Sequence, residues 1–319
     1  MKRILLLGGT GFVGRHVCAK LAQLSGDALC RVTVPTRRTA NAQAIQSLPM
    51  VDVVQADVHD EGALARLVAG HDAVVNLVAI LHGSQAAFEH AHVALVSKLA
   101  RACNAAGVQR VVHVSALGAA PDAPSLYLRS KAAGEAVWSA SGLGVTTLRP
   151  SVIFGADDQF LNLFAKLQAV FPVMPLAGAA ARFQPVWVED IAQAIVQCLH
   201  SQRSVFDSNP APIYAGTGPE TFTLRQLVEL AGRLSGHPRP VLPLGSLLGN
   251  LQALAMELAP GPTLMSRDNL RSMQVDNVAD GSLPGLQALG ITPAALSAIA
   301  PGYLSTRNTM DGYRKTSGR

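Results

Sequence analysis

Tyr127 and Lys131, in the run Tyr127-Leu128-Arg129-Ser130-Lys131, stand four residues apart and so share one face of a helix. An ammonium beside a phenol favours the phenolate, so this spacing predicts a tyrosine that gives or takes a proton near neutral pH. Transfer of a hydride to a carbonyl needs such a group. Taken alone, the pair also fits a surface helix whose lysine snorkels to water. A second group is glycine-rich: Leu5-Leu6-Leu7-Gly8-Gly9-Thr10-Gly11-Phe12-Val13-Gly14 sets glycines at 8, 11 and 14 between an apolar run and an amphipathic stretch. Gly8 permits a tight turn, Gly11 lets a pyrophosphate approach the backbone, and Gly14 lets helix and strand pack closely. The free N–H groups and dipole of the following helix then favour the anion. A flexible turn without a ligand is the alternative. The position in the first strand-to-helix connection, with a downstream partner, favours the nucleotide.

That partner is Val34-Pro35-Thr36-Arg37-Arg38, at the end of the second apolar run. An acid there would bind the ribose hydroxyls of NAD, whereas a guanidinium suits a 2′-phosphate through two parallel charge-assisted bonds. Arg37 and Arg38, with no acid nearby, predict NADP(H); two solvated surface charges are the competing reading. Asp57 is expected to accept from the adenine amino group with Val58 under the ring. Leu77, Val78 and Ala79 would run beneath the cofactor.

The elements that must position these residues follow from hydrophobic period. Arg3–Leu7, Arg31–Pro35, Val51–Gln55, Ala73–Val78, Val111–Val114 and Val145–Leu148 read as strands, nearly all apolar as parallel strands covered on both faces require. Val13–Leu24, Glu61–Val68 and Phe88–Ala105 carry helical spacing, the last with the stripe Val93, Val96, Leu99, Ala100 and a stop at Asn104–Gly107. Regular alternation implies an α/β fold with a Rossmann-like doubly wound parallel sheet. Val186–Val188 and a helix from Asp190 read as a return to that sheet. The expected domains are a cofactor domain over 1–155 plus about 184–234, and a smaller α-rich C-terminal substrate or docking domain over about 156–183 and 235–319.

Composition narrows the class. Hydrophobic residues are 49% and charged residues 15%, enough for a large core and too apolar for disorder. The net charge of +5 comes without a Lys/Arg block, which excludes a nucleic-acid arm and suits an anionic ligand. Cys18, Cys30, Cys103 and Cys198 form no CxxC pair, so neither a disulfide framework nor a metal site is expected, and a reducing compartment is. The apolar run after Met1-Lys2-Arg3 stops at Gly8, short of the ~7–15 residues of a signal sequence. No stretch approaches the ~20 apolar residues of a membrane span. The expected location is cytoplasmic.

These motifs carry a resemblance. Gly8–Gly14, Tyr127–Lys131 and Leu148-Arg149-Pro150-Ser151-Val152-Ile153-Phe154-Gly155 resemble an extended or atypical short-chain dehydrogenase/reductase, and Pro185–Ala192 is similar to that group's segment leading back into the sheet. More narrowly, His113–Leu117, Tyr127–Glu135, Asp157–Asn162, Ser266–Asn269 and Leu283–Leu286 resemble the nucleotide-binding accessory subunit of respiratory complex I and its stand-alone bacterial relatives, over nearly the whole chain. The resemblance implies that the turn at 8–14 (with Thr10, Phe12 and Val13), Arg37, Asp57, Lys131 and Pro150 hold NADP(H). It also implies a substrate-polarising hydroxyl beyond the fifth strand. Extended members place it two positions after Ser115, where this chain has Leu117; Ser115 itself is the candidate. The asparagine of the family's fourth helix is replaced, with His92 as a proton relay or a structural histidine.

Two functions follow from this. One is an NADP(H)-dependent oxidoreductase or epimerase/dehydratase with Tyr127 as proton donor, Lys131 as its tuner and Ser115 at the carbonyl. The other is an accessory or sensor protein that holds NADP(H) and docks on a respiratory or membrane-associated complex at the membrane's inner face. The stretch Leu247–Leu258 reads as a helix with Leu247, Leu251, Leu254 and Leu258 on one side. Core packing is the ordinary fate of such a stripe, and docking the alternative. The basic end, Arg307–Arg319, reads as a frayed tail, with weak contact to anionic headgroups the alternative.

Overall fold

The apolar runs and amphipathic stretches of the first half form β1 (Lys2–Leu7), α1 (Phe12–Ala22), β2 (Cys30–Thr36), β3 (Val51–Gln55), α2 (Glu61–Val68), β4 (Ala73–Asn76), α3 (Gln85–Glu89), α4 (Leu95–Ala106), β5 (Arg110–Val114), α5 (Leu126–Ala140) and β6 (Gly144–Pro150). Then come β7 (Ile153–Phe154), α6 (Leu161–Val170), β8 (Met174–Ala177), β9 (Arg182–Phe183), β10 (Val186–Trp187), α7 (Val188–His200), β11 (Ile213–Gly216), β12 (Phe222–Thr223) and β13 (Val241–Leu244). This computed structural model describes residues 1–24, 29–200, 212–258 and 265–305.

Seven strands make one sheet in the order β11-β6-β5-β4-β1-β2-β3, every neighbouring pair parallel. The α/β doubly wound architecture is as the alternation predicts. Strand order reverses between β1 and β4, the switch point outside which ligands of open parallel sheets bind. The central strands are apolar because both faces are covered: Leu5, Leu7, Val74, Val111 and Val145 pack with Leu95, Val96 and Leu99 of α4 and with Trp138 of α5. Each such side chain contributes ~1.5–3 kcal/mol on burial. α4 stops where expected, at Gly107 in the left-handed region (φ 71°).

Two expectations need correction. Val186–Trp187 does not rejoin the main sheet but pairs with Ile153–Phe154. The outer edge of β6 is taken by β11, with Ile213 to Gly216 aligned on Thr147 to Pro150. The expected single helix over Phe88–Ala105 is broken by a π-turn, His90–Ala94, between α3 and α4. A Cβ on Gly134 of α5 would lie 2.4 Å from the His92 carbonyl oxygen in that turn, so only glycine fits the crossing.

The chain divides into two compact units: Met1–Ser151, Val188–Thr217 and Val278–Pro293 in one, and Val152–Trp187, Gly218–Asn277 and the chain from Ala294 in the other. This differs from the expected boundaries: residues 152–155 and 184–187, with the paired β7 and β10, belong to the second unit. The helix Leu224–Leu234 belongs to the second unit because Leu224, Leu227, Val228 and Ala231 pack with Leu161, Phe164 and Ala165 of α6. Residues 278–293 belong to the first, where the Ala215 N–H donates to the Pro284 carbonyl and Leu286 is buried. Arg307–Arg319 lies outside the described residues.

Candidate functional site

At the switch point the chain leaves β1 through Gly8, whose φ of +81° is open mainly to glycine. A Cβ there would also sit 3.1 Å from the Leu77 backbone at the exit of β4. The Gly11 N–H donates to the Gly8 carbonyl at 3.0 Å, closing the turn. Gly11 is the N-cap of α1 and supplies no side-chain cap, and the first turn of α1 carries no acid. The helix start thus presents N–H groups and a positive dipole end with no acidic side chain of its own first turn to meet them. Gly14 sits so close to the turn that a Cβ would come within 2.3 Å of the Gly8 oxygen.

A cleft of about 630 Å³ opens here, over the carboxyl ends of β1 to β4. Gly8, Thr10 and Gly11 line it from the first turn, Arg37 and Arg38 from the end of β2, Val58 from beyond β3, and Leu77, Val78 and Ala79 from beyond β4. Phe12, Val13, Asp57, Lys131 and Pro150 are not among its lining residues. Asp57 is exposed, and its Oδ1 accepts from the His59 N–H at 3.0 Å, so it shapes the turn that presents Val58. Arg37 and Arg38 are exposed, and neither has a carboxylate partner among the described residues. Their loop is held by Thr36 Oγ1 donating to the Arg38 carbonyl at 3.1 Å and by Arg38 capping the short turn Thr39–Ala42.

Asn41 and His59 also line the cleft, and sequence reasoning missed both. Asn41 is delivered by the short helical turn after Arg38, a local bend without hydrophobic period to announce it. His59 follows the expected pair Asp57-Val58, which is the signal that could have found it. Its ring stacks on His90 with centroids 4.1 Å apart. Burial, then the charges of His90, Arg37 and Lys98, hold its pKa below the ordinary value, with Asp57 opposing.

The second group lies at the end of β5. Ser125 caps α5, its Oγ accepting from the Leu128 N–H, and this sets Tyr127 and Lys131 in the first two turns. Lys131 is buried, and its Nζ donates to the Val114 carbonyl at 2.8 Å. Burial lowers its pKa to about 8, with Glu135 opposing. Burial likewise pushes Tyr127 up to about 12. The resolved cause acting on Tyr127 here is burial, and the Lys131 ammonium is directed at the Val114 carbonyl. Ser115 is 3% exposed; its N–H donates to the Leu148 carbonyl at 2.8 Å, while its Oγ has no hydrogen-bond partner among the described residues. Such an orphaned hydroxyl costs ~1–3 kcal/mol. Leu117 is buried, and its N–H donates to the Pro150 carbonyl at 2.9 Å.

His92 is hydrogen-bonded through both ring nitrogens. Its Nε2 accepts from the Ile80 N–H at 3.1 Å, which places the ring proton on Nδ1, 2.8 Å from Ser130 Oγ. Ser130 Oγ in turn donates to the Tyr127 carbonyl. Burial, with Lys131 adding, holds the His92 pKa down at about 3. Both ring nitrogens are engaged, so the histidine ties the loop beyond β4 to α5.

An uncapped helix start, a glycine cradle that a Cβ would fill and a cleft ending at two guanidiniums fit a dinucleotide. The chain belongs to the NAD(P)H-binding family, whose pattern matches residues 8–202. Its fold is that of Rossmann-like short-chain dehydrogenases and sugar epimerases. A dTDP-glucose 4,6-dehydratase of Streptomyces venezuelae, crystallised with NAD and DAU, superposes with a TM-score of 0.72 at 23% identity, covering 95% of each chain. Among curated proteins, subunit 9 of the NADH dehydrogenase [ubiquinone] 1 alpha subcomplex of Mus musculus is 28% identical over 91% of this chain and 76% of its own. A ceramide reductase of Caulobacter vibrioides is 32% identical over 60% of this chain and 59% of its own.

Proposed function

We propose that this protein binds NADP(H) in the cleft over β1 to β4, as a cytoplasmic member of the short-chain dehydrogenase/reductase type. The observation that carries the choice of the phosphorylated dinucleotide is the pair Arg37 and Arg38, lining the cleft without carboxylate partners among the described residues. The pyrophosphate would lie on Thr10, Gly11 and the amides of Phe12 and Val13, the adenine against Val58 and Asp57, and the nicotinamide end toward Lys131 and Pro150. Bound NADPH would supply hydride. Tyr127 would deliver the proton to a carbonyl oxygen, and Ser115 Oγ would donate to the same oxygen. Lys131 would anchor the ribose. The orphaned Ser115 hydroxyl favours this oxidoreductase or epimerase/dehydratase reading.

A second reading is holding without turnover, on a respiratory or membrane-associated assembly at the inner face of the membrane. Leu117, in the family's hydroxyl position, and the raised pKa of Tyr127 favour it. Titration calorimetry of Arg37→Asp with NADPH and NADH tests the cofactor assignment common to both readings. Charge-assisted bonds worth ~1.5–3 kcal/mol predict a ~10–100-fold loss for NADPH with little change for NADH. Equal losses for the two dinucleotides would overturn it.

A further inference from the structure

The helix Ser246–Leu258 is turned inside out. Its small residues Gly249 and Ala253 face inward, a Cβ on Gly249 meeting Ala177 of β8 at 2.8 Å, and Gln252 Nε2 donates to the Pro175 carbonyl at 3.0 Å. Its leucines face solvent: Leu247 is 82% exposed, Leu251 63% and Leu258 77%, with Leu248 beside them. At 100° per residue these side chains, with Leu254 and Ala255, fill one apolar arc of ~120°. Packing on the core, the ordinary fate of such a stripe, is therefore not what this helix does.

The apolar surface continues beyond the helix. Leu242 of β13 is exposed and aligned with Pro175 of β8, and Val170, Phe171 and Val173, just before β8, are exposed as well. The charge within it is cationic. The stretches that build this surface, 161–177 and 230–256, contain Lys166, Arg233 and Arg239. Glu229, just before the second stretch and one turn from Arg233, is paired with Arg225 at 2.8 Å. Arg239 is held at this edge by its Nε donating to the Gln168 carbonyl at 2.9 Å. Glu257, the sole carboxylate of the helix, is paired with Arg267 at 2.9 Å. Among the described residues no helix is long and apolar enough to cross a membrane. Exposed apolar side chains in stretches whose other charges are cationic have the chemistry of a surface that lies on lipid.

We propose that this face of the second unit seats on an anionic lipid bilayer, the leucine arc entering the acyl boundary while Lys166, Arg233 and Arg239 meet the headgroups. The inference rests on the peripheral placement proposed above and not on the cofactor assignment, since its test needs no dinucleotide. The full chain is floated with vesicles of phosphatidylglycerol and phosphatidylcholine, and with phosphatidylcholine alone. Binding is expected to the anionic vesicles and to weaken with salt. Leu247→Glu with Leu251→Glu should lower partitioning by ~10-fold or more per leucine. Lys166→Glu with Arg233→Glu should lower it by at least about fivefold per residue, since each reverses a charge. All four side chains are exposed, so the melting temperature and NADPH affinity should hold, which separates loss of docking from loss of fold. Failure to float with anionic vesicles, or flotation unchanged in the leucine variant, overturns the proposal. So does equal binding to neutral vesicles that Lys166→Glu with Arg233→Glu leaves unchanged. A lipid-free dimer by light scattering that Leu247→Glu with Leu251→Glu dissociates would assign the face to a second copy instead, and would also overturn it.

Discussion

Gly11→Ala and Gly14→Ala add the same methyl group three residues apart in one turn, and the local geometry gives them opposite consequences. At Gly14 the new Cβ would lie 2.3 Å from the Gly8 oxygen and 2.5 Å from the Gly9 Cα, both backbone atoms that cannot swing aside. Restoring ordinary contact near 3.4 Å requires the start of α1 to move by about 1 Å. That helix is anchored by buried Val17, Cys18 and Leu21 and by Lys20, which pairs with Glu189 of α7 at 2.9 Å. Overpacking of this kind costs ~1–3 kcal/mol, hence a melting temperature lower by roughly 2–10 °C. At Gly11 the nearest atom is 3.2 Å away and φ is −78°, ordinary for any residue. A shift of a few tenths of an ångström relieves that contact, so the fold should melt within about 2 °C of the parent. The methyl group there projects where a pyrophosphate would meet the N–H groups, and losing one or two charge-assisted bonds predicts a Kd for NADPH raised ~10–100-fold. Differential scanning calorimetry and titration calorimetry read the two effects separately. Wild-type NADPH affinity in Gly11→Ala would refute the phosphate-cradle argument, and wild-type melting in Gly14→Ala would refute the packing argument.

Ser115→Ala removes a hydroxyl that has no partner among the described residues, so melting should be unchanged or slightly higher. If Ser115 polarises a carbonyl, kcat for any carbonyl found to be reduced should fall ~10²–10³-fold; an unchanged kcat would remove Ser115 from the site. Acid should destabilise the fold through its buried histidines. His92 stays neutral in the folded state down to about pH 3, while its unfolded value lies near 6.5, so the unfolded chain binds the extra proton throughout that window. Stability should fall by up to ~1.4 kcal/mol per pH unit per such histidine below pH 6.5. His113, also held low chiefly by burial, adds to the same slope. Denaturant titrations between pH 7.5 and 5 should show this, and a flat profile would contradict it.

The periods and punctuation of the chain determined much of this protein. β3 and α2 begin and end where composition places them, because an apolar run bounded by polar residues has one local solution. The same holds for the glycine turn. Gly8 and Gly14 each answer a backbone requirement that only the missing Cβ meets, and that requirement is written locally. Arg37 and Arg38 were readable for the same reason, lying one strand-end from the turn.

Tertiary structure decided what local pattern leaves degenerate. A helical stripe specifies that one face is apolar but not what lies against it. The helix Leu224–Leu234 found α6, whereas the leucines of Ser246–Leu258 found no partner among the described residues, because Gly249 and Ala253 allow closer backbone packing on the opposite face. Spacing put Tyr127 and Lys131 on one face, yet their protonation depends on desolvation and on which acceptor the ammonium reaches. Both are set by β5 and by the π-turn packed against α5. Burial is a sum over neighbours distant in sequence, and that sum exists only once the chain has folded.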